Sequence, residues 1–134
     1  GPGEERYTKL VPETIRCGLA GKPPRIAGDG SDKRDLLYVD DAAEAIVRAV
    51  AAGGLGDSRT INIARGESHA IRDIVANITS LLGYRGPAEH LPAPTDAYST
   101  SFDTAEMKRA LGEWPLVSLH DGLAREIAWF RGQA

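Results

Sequence analysis

The stretch that most limits what this chain can fold into runs from residue 28 to residue 41, Gly28-Asp29-Gly30-Ser31-Asp32-Lys33-Arg34-Asp35-Leu36-Leu37-Tyr38-Val39-Asp40-Asp41. Asp29-Gly30 is turn chemistry, because glycine takes positive φ cheaply and aspartate bonds the backbone just ahead of it. Pro24 to Gly28 reads as a short extended piece. Arg34 to Val39 reads as the next strand, with Leu37 and Val39 on one face and Leu36 and Tyr38 on the other. Asp40 or Asp41 then offers a carboxylate to cap a helix. A glycine bend that joins two strands and passes straight to a helix belongs to a chain of mixed α and β elements. Just beyond that bend, Arg34 is the candidate for ligand contact, since a guanidinium grips a phosphate through two parallel bonds. The plainer reading is a surface ion pair with Asp35, worth ~0–1 kcal/mol.

The flanking segments read as scaffold. From Thr8 to about Ala20, Leu10, Val11, Ile15, Cys17 and Leu19 suit a helix with one buried face, with Pro12 tolerable in its first turn and Gly21 as its stop. Ala42 to Ala52 forms the body of a second helix, ended by Gly53-Gly54. Arg59 to Ala64 alternates through Ile61 and Ile63 as a strand. Ser68 is placed to cap the clearest helix, where Ile71, Ile74, Val75, Ile78, Leu81 and Leu82 fall on one stripe before Gly83. A short run ends at Leu91, and Pro92 to Ser101 reads as a surface loop. Asp103-Thr104-Ala105-Glu106 resembles a capping box for a helix through Leu111, closed by Gly112. Ser118 caps a last helix carrying Leu119, Leu123, Ile127 and Phe130.

Composition excludes more than it identifies. The 134 residues make one domain's worth of core, taken as a single unit over 1–134. A net charge of −3 gives no electrostatic footprint for nucleic acid or an anionic membrane. No apolar run approaches the roughly 18 residues of a membrane span, and no signal peptide opens the chain. Cys17 has no partner for an internal disulfide, so the expectation is a soluble, cytoplasmic protein in a reducing compartment; it packs as a small hydrophobe rather than a reactive thiolate. His69, His90 and His120 lack zinc-like spacing, so no metal site is expected. Trp114 and Trp129 read as core or subunit-contact residues. The sequon Asn77-Ile78-Thr79 falls in the middle of a helix and is set aside. Gly1-Pro2-Gly3 is an abrupt start, either a tag scar or a cut through a longer protein.

Taken together in order, several motifs resemble the extended short-chain dehydrogenase/reductase family of NAD-dependent epimerases and dehydratases. They are Leu10-Val11-Pro12, the 28–41 stretch, Ile61-Asn62-Ile63, Phe102-Asp103-Thr104-Ala105, Leu111-Gly112-Glu113-Trp114-Pro115 and Ser118-Leu119-His120-Asp121-Gly122-Leu123. Gly1-Pro2-Gly3 also looks like that family's junction after a late Rossmann strand. The resemblance implies the C-terminal, substrate-binding portion of an α/β Rossmann-type reductase, a small mixed sheet with packed helices. It implies NAD or NADP in the intact enzyme, a nucleotide-sugar or related small molecule as ligand, and a homodimer formed through Rossmann helices that this chain lacks.

The family's glycine-rich cofactor loop and its Tyr-x-x-x-Lys pair are not in this sequence. Gly28-Asp29-Gly30 lacks the third glycine and the helix that should follow it, and Tyr7 is two residues from Lys9. With no residue to hold the pyrophosphate and no acid/base beside the reacting carbon, the chain alone is expected to bind no cofactor and to be catalytically silent. No catalytic residue is assigned. By the resemblance, Arg34 would clamp the diphosphate, Lys9 and Leu10 would lie along the nucleotide, and Asn62 would hydrogen-bond it. Two positions depart from the family pattern. Ala27 stands where an aromatic often lies under the base, and the segment Pro94-Thr95-Asp96-Ala97-Tyr98-Ser99 lacks a second phosphate-binding arginine. Either the ligand carries less charge than a nucleotide diphosphate, or Tyr98, Ser99 or Lys9 substitutes. The rival readings are a non-catalytic ligand-binding or regulatory module of the same fold, and an inactive structural fragment that binds nothing tightly without its Rossmann partner.

Overall fold

The computed structural model describes residues 1, 3, 9–52, 60–93, 95 and 98–132. The order is α1 (Leu10–Leu19), β1 (Arg25–Ala27), β2 (Lys33–Asp35), α2 (Val39–Ala51), β3 (Ser68–Ala70), α3 (Ile71–Leu82), β4 (Glu89–Leu91), α4 (Ala105–Leu111) and α5 (Leu119–Gly132). It is a mixed α/β fold of five helices and short strands.

The expected small sheet consists of two separate ladders. β1 runs parallel to β4, pairing Ile26 with His90, while β2 runs antiparallel to β3, pairing Arg34 with His69. The strands on either side of the glycine bend therefore pair elsewhere, not with each other. The bend itself is as expected, with Gly28 at φ 65° and Gly30 at φ 72°, and the Asp29 carboxylate accepting both the Ser31 N–H and its hydroxyl. Those two bonds hold the Asp29 carboxyl below the usual carboxylate range. A Cβ on Gly30 would meet Ile26 Cγ2 at 2.9 Å and the Arg72 backbone nitrogen at 3.1 Å, and that same N–H donates to the Gly30 carbonyl. Gly30→Ala therefore adds left-handed strain to a backbone clash. It is expected to destabilise the chain by more than about 1 kcal/mol in urea unfolding, whereas Gly83→Ala, with nothing within 4 Å of its Cβ, carries the strain alone.

Two clusters make the core. Ile15 of α1, Ile74 and Ile78 of α3, and Leu123, Ile127 and Phe130 of α5 form the larger, with Leu10, Val11, Leu36, Leu81, Leu82 and Leu119 packed around it. The stripe read for α3 is the one that is buried, and Gly83 ends the helix in the left-handed conformation. Ala45 of α2 and Met107 and Leu111 of α4 form the smaller cluster, joined by Ile61 and Trp114; Arg48 lies 4.8 Å over the Trp114 ring. Trp114 is thus a core residue, while Trp129 is exposed on α5.

Several expected ends and caps fall elsewhere. The strand expected from Arg34 to Val39 stops at Asp35, because Leu36 turns into the larger cluster and α2 already begins at Val39. Asp40 and Asp41 then sit inside the first turn of α2, and neither caps it; the N-cap is Tyr38, with no side-chain cap bond. Their charges still suit the positive end of the helix. Asp41 is buried and accepts the Val117 N–H at 3.0 Å, tying α2 to the segment ahead of α5. Residues 60–64 are irregular rather than a strand. Ser68 lies in β3 and donates to the Thr100 carbonyl, so it does not cap α3.

At α4 the Asp103 carboxylate accepts the Ala105 N–H, whereas Glu106 is engaged by Arg109, so the capping box is half formed. At α5 the Ser118 cap is present: its Oγ accepts the Asp121 N–H at 3.0 Å and donates to that carboxylate at 2.7 Å. Thr8, Gly53, Gly54 and Arg59, named as ends of elements, lie outside the described residues, as do Pro2 and, within the expected loop, Pro94, Asp96 and Ala97. Among the described residues no helix is long and apolar enough to cross a membrane, and no group of His, Cys, Asp and Glu could hold a metal ion.

Candidate functional site

The β2–β3 ladder is pinned on both sides, which gives Arg34 a rigid base. On the open edge of β2, the Lys33 N–H donates to Ser99 Oγ at 2.9 Å and the Thr100 N–H to the Lys33 carbonyl at 3.0 Å. The Asp35 N–H donates to Thr100 Oγ1 at 3.2 Å. The expected surface loop therefore lines β2 over residues 98–100. On the other side the Asp35 carboxylate accepts the backbone N–H groups of Arg65 and Gly66 at 2.9 and 2.7 Å. Asp35 closes the loop that leads into β3 and is not Arg34's ion-pair partner.

Arg34 turns instead to Tyr98. Its guanidinium carbon sits 4.8 Å from the centre of the Tyr98 ring, within cation–π range. Its Nη1 donates both to the Tyr98 carbonyl and to the Lys33 carbonyl. Both bonds use one nitrogen. Nε and Nη2, the rest of the planar fork, have no hydrogen-bond partner among the described residues and are the donors left for an anion.

The structure thus puts two of the six candidate residues, Arg34 and Tyr98, in direct contact. Ala27 is exposed in β1, paired with Leu91 on the other ladder. Asn62 is exposed in the irregular segment ahead of β3. Lys9 is exposed just before α1, and Leu10 packs against the larger core cluster. None of these four is among the groups that Arg34 bonds or stacks on. Sequence reasoning missed the supports: Ser99 and Thr100 as edge partners, Asp35 as a backbone acceptor, and His69 opposite Arg34.

The glycine turn at 28–30 runs into β2, not into a helix, so it offers a dinucleotide pyrophosphate no helix N-terminus. The Cys17 thiol is held back rather than activated. Desolvation first, and the neighbouring Glu13 carboxylate second, push its thiol above the usual range. Alkylation by iodoacetamide near neutral pH is expected to be slower than that of glutathione and to accelerate in Glu13→Gln, followed by mass spectrometry.

Comparison with known proteins places the fold. The model of the NAD dependent epimerase/dehydratase family matches residues 1–64. The chain is 33% identical over 133 residues to UDP-glucose 4-epimerase of Mycolicibacterium smegmatis, covering 98% of this chain and 41% of that protein. By these matches the chain resembles the NAD-dependent epimerase/dehydratase family. It is 31% identical to dTDP-glucose 4,6-dehydratase of Neisseria gonorrhoeae, covering 91% of this chain and 38% of that enzyme. The crystal structure of UDP-glucuronic acid 4-epimerase from Bacillus cereus, in complex with UDP-glucuronic acid and NAD, superposes with a TM-score of 0.89 at 29% identity. That match takes in 100% of this chain and 43% of the epimerase. The chain therefore spans about two fifths of the length of the family members it matches, and its motifs correspond to their C-terminal part.

Proposed function

We propose that this chain is the substrate-binding portion of an NAD(P)-dependent nucleotide-sugar epimerase or dehydratase, with Arg34 holding the diphosphate. The single observation that carries the reading is the Arg34 fork, oriented by the Tyr98 ring and carbonyl and keeping Nε and Nη2 for a ligand. A planar pair of donors suits two phosphate oxygens better than it suits a neutral sugar. Family members bind such ligands, as in the Bacillus cereus epimerase with UDP-glucuronic acid. In the intact enzyme the reaction is transient oxidation of a sugar hydroxyl, followed by epimerisation, dehydration or reduction. NAD or NADP, held by a Rossmann portion that also makes the homodimer contact, would supply the hydride chemistry. This chain contributes ligand binding and no acid/base, so by itself it turns nothing over. Asn62, Lys9 and Leu10 are assigned to the nucleotide end of the cleft, and Ala27 to the position beneath the base.

A feature of α2 supports the larger assembly. Val39, Ile46, Val47 and Val50 share one face of this helix at 44%, 58%, 61% and 74% exposure, while its opposite face packs Ala45 and Ala49 against α4. A contiguous apolar face of this kind is ordinarily covered, and a Rossmann portion is the occupant this reading supplies.

Isothermal calorimetry tests the proposal directly. The chain is expected to bind UDP or dTDP weakly, and Arg34→Ala is expected to abolish the signal. No heat with UDP, GDP or dTDP, or equal binding by the variant, would overturn it and leave the structural-fragment reading in place.

A further inference from the structure

Arg34 is not alone on its face of the ladder. In the antiparallel register it lies directly opposite His69, and opposed residues send their side chains to the same face with Cβ atoms roughly 4.5–5.5 Å apart. The His69 ring is 23% exposed, with Glu67 Oε1 3.6 Å from its Nε2. That separation is too long for a hydrogen bond, and Nε2 is buried with no hydrogen-bond partner among the described residues. Glu67 is itself held by Arg65 Nε at 3.2 Å. Arg34 and His69 are thus cross-strand neighbours on one face of the ladder, and with Nε2 buried against the fixed Glu67 carboxylate the ring's other nitrogen is the one open to an anion.

We infer that His69 is the second partner of the anion that Arg34 holds, standing in for the arginine absent between residues 94 and 99. The inference rests on the Arg34 reading above and deepens it. A guanidinium and an imidazolium repel each other while the site is empty. An anion lying across both reverses that sign, and Glu67 offsets part of the repulsion meanwhile. The groups facing His69 are Arg34 across the ladder, Glu67 with Arg65 behind it on its own loop, and the neutral Tyr98 beyond Arg34. The Asp35 carboxylate is turned away to the Arg65 and Gly66 N–H groups. An imidazolium holds an anion more tightly than a neutral imidazole does, so affinity rises as pH falls.

The test is calorimetry of the whole chain with UDP at about pH 6 and about pH 8, for wild type, His69→Gln and Arg34→Ala, with uridine as the ligand lacking phosphate. At the lower pH His69→Gln is expected to weaken UDP binding about 5- to 10-fold. At the higher pH the two proteins converge to within about twofold, and the ligand's own titration, common to both, cancels. A readout that needs no variant is the His69 ring proton resonance. UDP should raise its titration midpoint, and uridine should leave it unmoved. If His69→Gln matches wild type at both pH values, or the ring midpoint ignores UDP, while Arg34→Ala still abolishes binding, His69 is no partner and the Arg34 reading survives. If wild type binds no UDP at all, both fall together.

Discussion

Lysine at position 34 is expected to weaken UDP binding about tenfold although it keeps the positive charge, and alanine is expected to weaken it by about a hundredfold or more. The difference comes from shape. The Arg34 guanidinium lies over the Tyr98 ring, and its Nη1 is committed to the Tyr98 and Lys33 carbonyls. That fixes the plane in which Nε and Nη2 present two parallel donors. An ammonium is a point charge on a flexible stem. It can satisfy the carbonyls or reach the ligand, but it cannot do both in one fixed plane. Each hydrogen bond from a charged donor is worth ~1.5–3 kcal/mol and about 1.4 kcal/mol is tenfold in affinity, so losing one bond and losing both give the two figures. Calorimetry on the three proteins decides the matter. Wild-type affinity in Arg34→Lys would mean that charge alone, without the fork, holds the ligand.

How much of this arrangement could be read from the sequence depended on how local its cause was. Helices were legible where one stripe and one stop agreed, as in Ile74, Ile78 and Gly83 of α3, because period and positive φ are properties of consecutive residues. Strands were not. Each is only three residues long, too short for alternation to distinguish strand from loop. What makes Ser68-His69-Ala70 a strand is β2, more than thirty residues away. The same competition misplaced the caps: Ser68 had the right chemistry for an N-cap, but the Thr100 carbonyl took its hydroxyl. Tertiary partners overrode local propensity at each of these points.

The candidate site divides along the same line. Arg34 was legible because a glycine bend and a guanidinium are both visible in one short stretch, and the family motifs give that stretch a context. Tyr98 was named only as a substitute for a missing arginine. Its actual relation to Arg34, as the surface beneath the guanidinium and an acceptor for it, depends on the 98–100 segment lining β2 through Ser99 and Thr100. His69 had no local mark at all, since only the register of two short strands sets it opposite Arg34. A polar residue three positions beyond a glycine, just ahead of a helix, is too common a pattern to have singled it out.

Ile78→Ala is expected to cost ~2–5 kcal/mol, since truncating a fully buried isoleucine loses its transfer energy and leaves a cavity. Ile78 has 0% exposure and lies in the cluster that α3 shares with α1 and α5, where neither neighbouring helix can close the gap without unseating Ile15 or Ile127. For a domain of total stability ~5–15 kcal/mol that is a large share, so the urea midpoint should drop sharply at constant m value. The same truncation at Ile46, which is 58% exposed on the outer face of α2, should change stability by less than about 0.5 kcal/mol. Val47→Glu, 61% exposed on that face, should be as mild in the chain by itself. Joined to a Rossmann portion seated on α2, the same glutamate would be a buried, unpaired charge and strongly destabilising. The pair of measurements therefore locates the covered face: a Val47→Glu penalty that appears only in the longer protein puts the partner on α2, and a penalty of equal size in both would mean that the 134 residues already cover that face themselves.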